Sequence, residues 1–177
     1  TRLGDICLKH EVIVIADEIH QDFVYPGFKH LVFANLKPEY LSNTITCTAP
    51  SKTFNLAGLV GSYHIIYNKY LRDRVQAKGS KSHYNEMNLL SMHALLGAYQ
   101  PEGYEWVDEL CQVLSENVSF ACDFIREHFP EIKVVKPEGT YMLFLDCSQW
   151  CHSHEKTLDQ LLKAGWDVGV AWQDGRP

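Results

Sequence analysis

The stretch that decides the fold is Thr44-Ile45-Thr46-Cys47-Thr48-Ala49-Pro50-Ser51-Lys52-Thr53, a β-branched run that leads directly into a proline and a lysine. A second β-branched run, Val12-Ile13-Val14-Ile15-Ala16, leads into Asp17. Both runs predict strands of a parallel sheet, buried on both faces. The 27 residues between them are enough for a crossover connection, so we expect the two strands to be parallel. Asp17 and Lys52 then follow the carboxyl ends of strands, where open α/β sheets bind ligands.

The composition is that of a globular protein with one sizeable core. The chain has 177 residues, of which 46% are hydrophobic and 21% are charged, and its formal net charge is -6. The basic residues are scattered, which argues against a nucleic-acid partner. No apolar run approaches the length of a membrane span, and we expect no membrane association. The chain starts without methionine or a signal peptide, so we expect it to begin in mid-protein.

The six cysteines point to a reducing compartment. They form no CxxC pair and fall mostly inside apolar periodic segments, which is typical of reduced thiols in a cytoplasmic protein. One local cluster of thiols and imidazoles offers the ligand types that zinc prefers. Its spacing matches no common structural zinc pattern, so we interpret it as a loop and predict no metal site. The cluster consists of Cys147, Cys151, His152 and His154.

Periodicity along the rest of the chain predicts a change of domain. We expect helices at 3–9, from an N-cap at Asn68 to about 78, at 86–99, at 104–129 and at 155–164, with a loop at 79–82. We expect further strands at 63–67, 132–135, 141–145 and 168–171. The switch from parallel-sheet rhythm to a long helix and then to hairpin rhythm divides the chain. The predicted parts are a large-domain part at 1–103, an interdomain helix at 104–129 and an incomplete small domain at 130–177.

Lys52 and Asp17 together match the needs of one cofactor chemistry. Pyridoxal phosphate requires an amine that holds its aldehyde as an imine and a carboxylate that keeps its ring nitrogen protonated. A lysine in a loop is more often a solvated surface charge. The residues around Lys52 favour a cofactor-binding role instead.

Three segments resemble one family. Ser51-Lys52-Thr53-Phe54-Asn55-Leu56-Ala57-Gly58 resembles the lysine motif of fold-type I pyridoxal phosphate enzymes, the class I and II aminotransferase superfamily, and Ala16-Asp17-Glu18-Ile19-His20 resembles their aspartate motif. With Lys136-Pro137-Glu138-Gly139-Thr140-Tyr141, the likeness is to the cystathionine β-lyase or C-S lyase branch. The resemblance implies an α/β fold, in which a pyridoxal-phosphate-dependent transferase-like large domain has a mostly parallel sheet with helices on both faces. Part of a smaller α+β domain would follow.

The resemblance also implies roles for particular residues. Lys52 would be the catalytic residue and would hold the cofactor aldehyde, while Asp17 would bond the pyridine nitrogen. His20 stands where typical aminotransferases have a tyrosine and would donate to the phenolic oxygen. Thr48 and Ser51 would donate hydrogen bonds to the phosphate. Eight residues after the lysine, where many aminotransferases carry a phosphate-binding arginine, this chain has Val60.

The implied reaction is β-elimination on sulfur amino acids such as cystathionine or cysteine S-conjugates, giving pyruvate, ammonia and a thiol. The departures at His20 and Val60 favour elimination over its closest alternative, amino-group transfer. A second alternative is a regulatory protein that carries the cofactor and acts by protein contact. The family implies a homodimer. It also places the ring-stacking aromatic residue upstream of this chain and the substrate-binding arginine downstream of it, so we expect the chain alone to be inactive.

Overall fold

The computed structural model describes residues 1–83 and 86–176, which form two compact units, Thr1–Cys111 and Gln112–Pro177. The boundary between the units lies inside one long helix, α5, which spans Pro101–His128. That helix confirms the predicted segment 104–129, with a start three residues earlier at a proline, the residue favoured at a first helical position. The three-part domain division stays a prediction.

The first unit combines a small sheet with helices that follow it in the chain. Its helices other than α5 are α1 (Arg2–Lys9), α2 (Pro50–Thr53), α3 (Lys69–Ser80) and α4 (Leu89–Ala98). Its strands are β1 (Val14–Asp17), β2 (Thr44–Thr48) and β3 (Tyr63–Ile65), and two 3₁₀ helices span Phe33–Asn35 and Pro38–Ser42. The predicted loop at 79–82 is wrong in its first half, because α3 continues to Ser80.

The sheet confirms the parallel pairing of the two deciding runs. Strand β1 pairs with β2 in parallel, from Val14 opposite Thr44 to Asp17 opposite Cys47, and β3 pairs with β2 antiparallel. The prediction of burial on both faces is wrong for β1, since Ile15 is 70% exposed. The side chains of β1 alternate between half-buried and exposed, so the described residues cover only one of its faces.

The crossover from β1 to β2 contains 3₁₀ helices rather than an α-helix. Tyr40, which is fully buried, connects the crossover to α1: its single hydroxyl hydrogen is shared between the Thr1 carbonyl, at 2.7 Å, and the Asp5 carboxylate, at 2.9 Å. The Tyr40 ring also stacks on Phe33, with 5.3 Å between ring centroids. One buried phenol therefore joins the first helix to both 3₁₀ turns.

The second unit contains the hairpin that the sequence predicts. Strands β4 (Lys133–Val134) and β5 (Leu145–Asp146) pair antiparallel; β4 lies within the predicted 132–135, whereas β5 shares only Leu145 with the predicted 141–145. Helix α7 (Leu158–Asp167) begins at a capping box formed by Thr157 and Gln160, a few residues later than the predicted helix start.

Two expectations for the second unit are wrong. The segment taken as a loop after β5 contains helix α6, which spans Ser148–Ser153. No strand forms at 168–171, because Gly169 adopts a left-handed φ of 83° and the Val170 amide bonds back to the Gly165 carbonyl. Those residues terminate α7 instead of extending away from it.

No helix within the described ranges has both the length and the apolar character that crossing a bilayer requires.

Two glycines in helices of the first unit should respond oppositely to alanine. A Cβ at Gly4 would overlap with Cζ of Tyr40, whose ring is held by stacking and hydrogen bonds. We expect Gly4→Ala to lower the free energy of unfolding by about 1–3 kcal/mol. A Cβ at Gly97, near the end of α4, would have no described atom within 4 Å apart from the helix's own backbone. Gly97→Ala should therefore raise the free energy of unfolding by up to about 1 kcal/mol. Urea denaturation measures both, and equal effects would contradict this assignment.

Candidate functional site

The candidate site lies at the edge of the sheet where β1 and β2 both end. Their parallel register puts Asp17, the last residue of β1, opposite Cys47, and β2 ends one residue later at Thr48. Lys52 follows in the short helix α2. The prediction that Asp17 and Lys52 leave the sheet at the same edge is therefore confirmed.

The turn that carries Lys52 is held by its own backbone. Pro50 starts α2, and its carbonyl accepts the Phe54 amide at 2.9 Å. The Leu56 amide bonds the Ser51 carbonyl at 2.9 Å, and Asn55 between them takes a left-handed φ of 54°. Asparagine tolerates that region better than most residues, so the sequence permits this reversal locally. Lys52 itself is exposed, and no acidic group in the described ranges lies within ion-pair distance of its amine.

The loop after β1 presents one carboxylate and buries the next. Asp17 is exposed, and its Oδ1 accepts the Ile19 amide at 3.2 Å. His20 is half-buried, with its ring 5.7 Å from that of Phe23. Glu18, the first residue after β1, is only 7% exposed.

Glu18 is hydrogen-bonded through both carboxylate oxygens. Oε2 lies 2.9 Å from Nε2 of His30, and Oε1 accepts the Phe33 amide at 2.9 Å. The Glu18 amide donates to the Cys47 carbonyl at 2.9 Å, which extends the β1–β2 ladder by one rung. Glu18 therefore fixes the path of the loop that carries His20.

The two hydroxyls expected near a phosphate differ in exposure. Thr48 is buried, and its Oγ1 accepts from Nε2 of Gln21 at 3.5 Å, whereas Ser51 is half-buried at the start of α2. Val60 is exposed and lies beyond the turn. Position 60 is therefore a valine where many aminotransferases carry an arginine that binds the cofactor phosphate.

Two functional candidates escaped the sequence reasoning, Asp22 and Thr53. The Thr53 hydroxyl donates to Oδ2 of Asp22 at 2.7 Å and joins the loop after β1 to the turn after β2. The only signal in the sequence is that Asp22 lies near Asp17 and that Thr53 follows Lys52. The two residues are 31 positions apart, and no sequence pattern indicates that they contact each other.

Aromatic rings pack beside the Lys52 turn. Phe54 meets Tyr99 edge-on with 5.2 Å between centroids, and the Tyr99 hydroxyl lies 3.1 Å from that of Tyr63. Burial, followed by the hydrogen bond with Tyr63, raises the pKa of Tyr99 well above its usual value. An open apolar depression of about 280 Å³ adjoins the rings and is lined by Phe54, Leu56, Ala94, Gly97, Ala98, Gly103 and Trp106.

The thiol and imidazole cluster near the end of the chain does not assemble into a ligand set. In the described ranges, no group of three or more histidine, cysteine or acidic side chains is placed to hold a metal ion. Cys147 and Cys151 are buried at the start and in the body of α6, whereas His152 and His154 are exposed at its end.

The site thus combines the exposed Lys52 amine, the exposed Asp17 carboxylate and the half-buried His20 imidazole near one edge of the sheet. Two hydroxyls lie beside them, one on Thr48 at the end of β2 and one on Ser51 in α2. An amine can hold a carbonyl compound covalently and can move a proton. A carboxylate can keep a nitrogen heterocycle protonated. Hydroxyls at a helix start are suited to an oxyanion.

Comparison with known proteins gives consistent results. The family model described as Aminotransferase class I and II matches residues 1–175. Cystathionine beta-lyase PatB of Bacillus subtilis (strain 168) is 36% identical over 164 residues, covering 93% of this chain and 42% of that protein. Protein MalY of Escherichia coli (strain K12) is 33% identical over 145 residues, covering 81% of this chain and 36% of that protein. The chain thus spans less than half the length of these relatives.

Solved structures give the same picture. The structure of the PLP-bound C-S lyase from Staphylococcus hominis superposes with a TM-score of 0.86 at 29% identity, over 98% of this chain and 43% of that one. Cystalysin from Treponema denticola, whose structure contains a pyridoxal 5'-phosphate cofactor, gives a TM-score of 0.84 at 31% identity over the same shares. These matches confirm the predicted fold class.

The buried Glu18 should contribute far more to stability than an exposed glutamate with a similar partner. Glu18→Ala leaves His30 and the Phe33 amide without their acceptor, and we expect a loss of about 3 kcal/mol in the free energy of unfolding. Glu86, which lies 2.8 Å from His83 with both side chains exposed, is the matched control. Glu86→Ala should change stability by less than about 0.5 kcal/mol. Chemical denaturation of both variants checks this, and similar losses would refute the importance of the Glu18 bonds.

Proposed function

The chain belongs to the class I and II aminotransferase family, and on that premise we propose that it carries the lysine and aspartate of a pyridoxal 5'-phosphate enzyme that eliminates the β-thiol of sulfur amino acids. The observation that supports this best is the parallel pairing of β1 and β2, which brings Asp17 and Lys52 to one edge of the sheet. The likeness to relatives named cystathionine beta-lyase and C-S lyase supports the choice of reaction.

The residues at this edge fit the cofactor in their chemistry. The exposed Lys52 amine suits an aldehyde, and the exposed Asp17 carboxylate suits a ring nitrogen. His20 offers a ring N–H for a phenolic oxygen, and the hydroxyls of Thr48 and Ser51 suit a phosphate. We assign these five residues to cofactor binding.

Each side chain then has a definite task. Bound pyridoxal phosphate supplies an electron sink for the electrons of the bond that breaks at the substrate α-carbon. The Lys52 amine would hold the cofactor aldehyde, and as a free amine it would take the proton from the substrate α-carbon. The Asp17 carboxylate keeps the proton on the ring nitrogen, which maintains the sink. His20 donates a hydrogen bond that orients the ring.

The same side chains would also serve amino-group transfer, which is the alternative reaction. The family carries the aminotransferase name, and Lys52 and Asp17 suit either outcome. Val60 favours elimination, because it replaces the arginine with which many aminotransferases hold the cofactor phosphate. The substrate is in either case a small amino acid.

We further propose that the enzyme is a cytoplasmic homodimer. The free state of all six cysteines supports a reducing compartment. Large apolar side chains of α4 stand exposed, and a partner subunit would cover them; they are Leu89, Leu90, Met92 and Leu96.

Lys52 should be required for the visible absorbance that pyridoxal phosphate acquires on binding. We expect the full-length protein to develop a visible absorbance band on binding the cofactor, and Lys52→Ala to abolish it. Lys69→Ala, which removes an exposed lysine that pairs with Asp73 four residues on, is the control and should leave the band unchanged. Equal spectra from wild type and Lys52→Ala would exclude Lys52 as the anchor.

The reaction itself is checked by its products. Incubation of the full-length protein with cystathionine should release pyruvate, and Lys52→Ala should lower that rate by at least about a hundredfold, since the chain loses its proton acceptor. Pyruvate is measured by coupling to lactate dehydrogenase. Lysine-dependent transfer of the amino group to an added keto acid, without pyruvate, would replace elimination by the aminotransferase alternative.

A further inference from the structure

The residue that follows Lys52 is among the most buried in the chain. Thr53 is 1% exposed, and its hydroxyl donates to Oδ2 of Asp22 at 2.7 Å. A hydrogen bond from a buried hydroxyl to a carboxylate is stronger than one between neutral groups. This bond spans 31 residues of sequence and connects the turn carrying Lys52 to the loop that follows Asp17 and carries His20.

Asp22 is itself held by a second element. Sγ of Cys111 on α5 donates to the Asp22 carbonyl at 3.4 Å. Burial raises the pKa of Cys111, which keeps the sulfur protonated and able to donate. The bond from Cys111 therefore holds the backbone of Asp22, while the carboxylate of Asp22 accepts the hydrogen bond from Thr53.

A second buried threonine of the same region shows that burial alone does not create such a bond. Thr44, in β2, is 2% exposed, and its Oγ1 has no hydrogen-bond partner within the described ranges. Thr44 and Thr53 are thus equally buried but differ in whether the hydroxyl has an acceptor. They form a matched pair for experiment.

We propose that Asp22 and Thr53 are a positioning pair, which holds the Lys52 turn in place against the loop that directly follows Asp17. The inference rests on the proposed function for its catalytic meaning, but the structural coupling can be measured without cofactor. Lys52 is exposed and Asp17 is exposed, so neither side chain is fixed by packing of its own. Lys52 and Asp17 would act on one bound cofactor, so the segments that carry them must keep their spacing within about 0.5 Å.

Loss of the Asp22–Thr53 bond should loosen the Lys52 turn locally, whereas loss of an ordinary stabilising contact lowers the stability of the whole unit. The amides of Phe54 and Leu56 close the Lys52 turn, and the hydrogen bond from the Thr53 hydroxyl to Asp22 ties this turn to another loop. Removing the hydroxyl should loosen the turn while leaving α5 intact, since α5 keeps its own hydrogen-bond ladder.

Amide hydrogen exchange of the cofactor-free, full-length protein tests the coupling. Thr53→Val keeps the size of the side chain and removes the donor, and Asp22→Ala removes the acceptor. We expect each to speed exchange at Phe54 and Leu56 about tenfold, with no change in α5. The double variant should exceed neither single variant by more than about twofold, because one bond is lost in all three. Thr53→Ser and Thr44→Val should match wild type.

Steady-state kinetics of the cofactor-loaded protein tests the catalytic meaning. Thr53→Val should lower kcat for pyruvate release about tenfold with KM within about twofold, and Thr53→Ser should restore most of kcat. Exchange in Thr53→Val that equals that in Thr44→Val, or that rises uniformly through α5, would overturn the positioning role. Unchanged kcat in Thr53→Val, with wild type active, would overturn its catalytic meaning. If wild type releases no Lys52-dependent pyruvate, the proposed function is overturned instead. In that case, faster exchange at Phe54 and Leu56 alone in Thr53→Val would still support the positioning pair.

Discussion

The parallel ladder between β1 and β2 is the constraint on which the rest of the site depends. Its register, Asp17 opposite Cys47, is extended at both ends by the bonds from Val14 to the Asn43 carbonyl and from Glu18 to the Cys47 carbonyl. A slip by one residue would exchange the faces of adjacent side chains. Glu18 would then point to the open face, and Asp17 would lose its place at the sheet edge. The cost of breaking Glu18's two hydrogen bonds opposes that slip.

Sequence reasoning succeeded where a local pattern has one structural solution. The β-branched run at 44–48, the N-cap at Asn68 and the long amphipathic segment ending before Pro130 each led to the element observed. The motifs at Asp17 and Lys52 pointed to their common edge because parallel strands must end together. These features depend on nearest neighbours and on chain direction, which the sequence contains.

Sequence reasoning failed where the outcome depends on what packs over an element. The run at 12–16 has the composition of a fully buried strand, but the described residues cover only one face of β1. The apolar residues at 168–171 fit a strand, but the left-handed Gly169 turns them back onto the end of α7. The bond between Asp22 and Thr53 joins two loops, and no pattern in either loop identifies the other.

Both reactive positions share one construction, in which an exposed functional side chain precedes a buried, hydrogen-bonded one. Asp17 is followed by Glu18, and Lys52 is followed by Thr53. The arrangement resolves a physical conflict, since a group that meets a ligand must be accessible, whereas an accessible side chain is poorly fixed. Placing the fixed group one residue away transfers its rigidity through the planar peptide bond, which leaves only two soft dihedral angles per residue. The buried partners, His30 with the Phe33 amide for Glu18 and Asp22 for Thr53, then determine where the functional backbone lies.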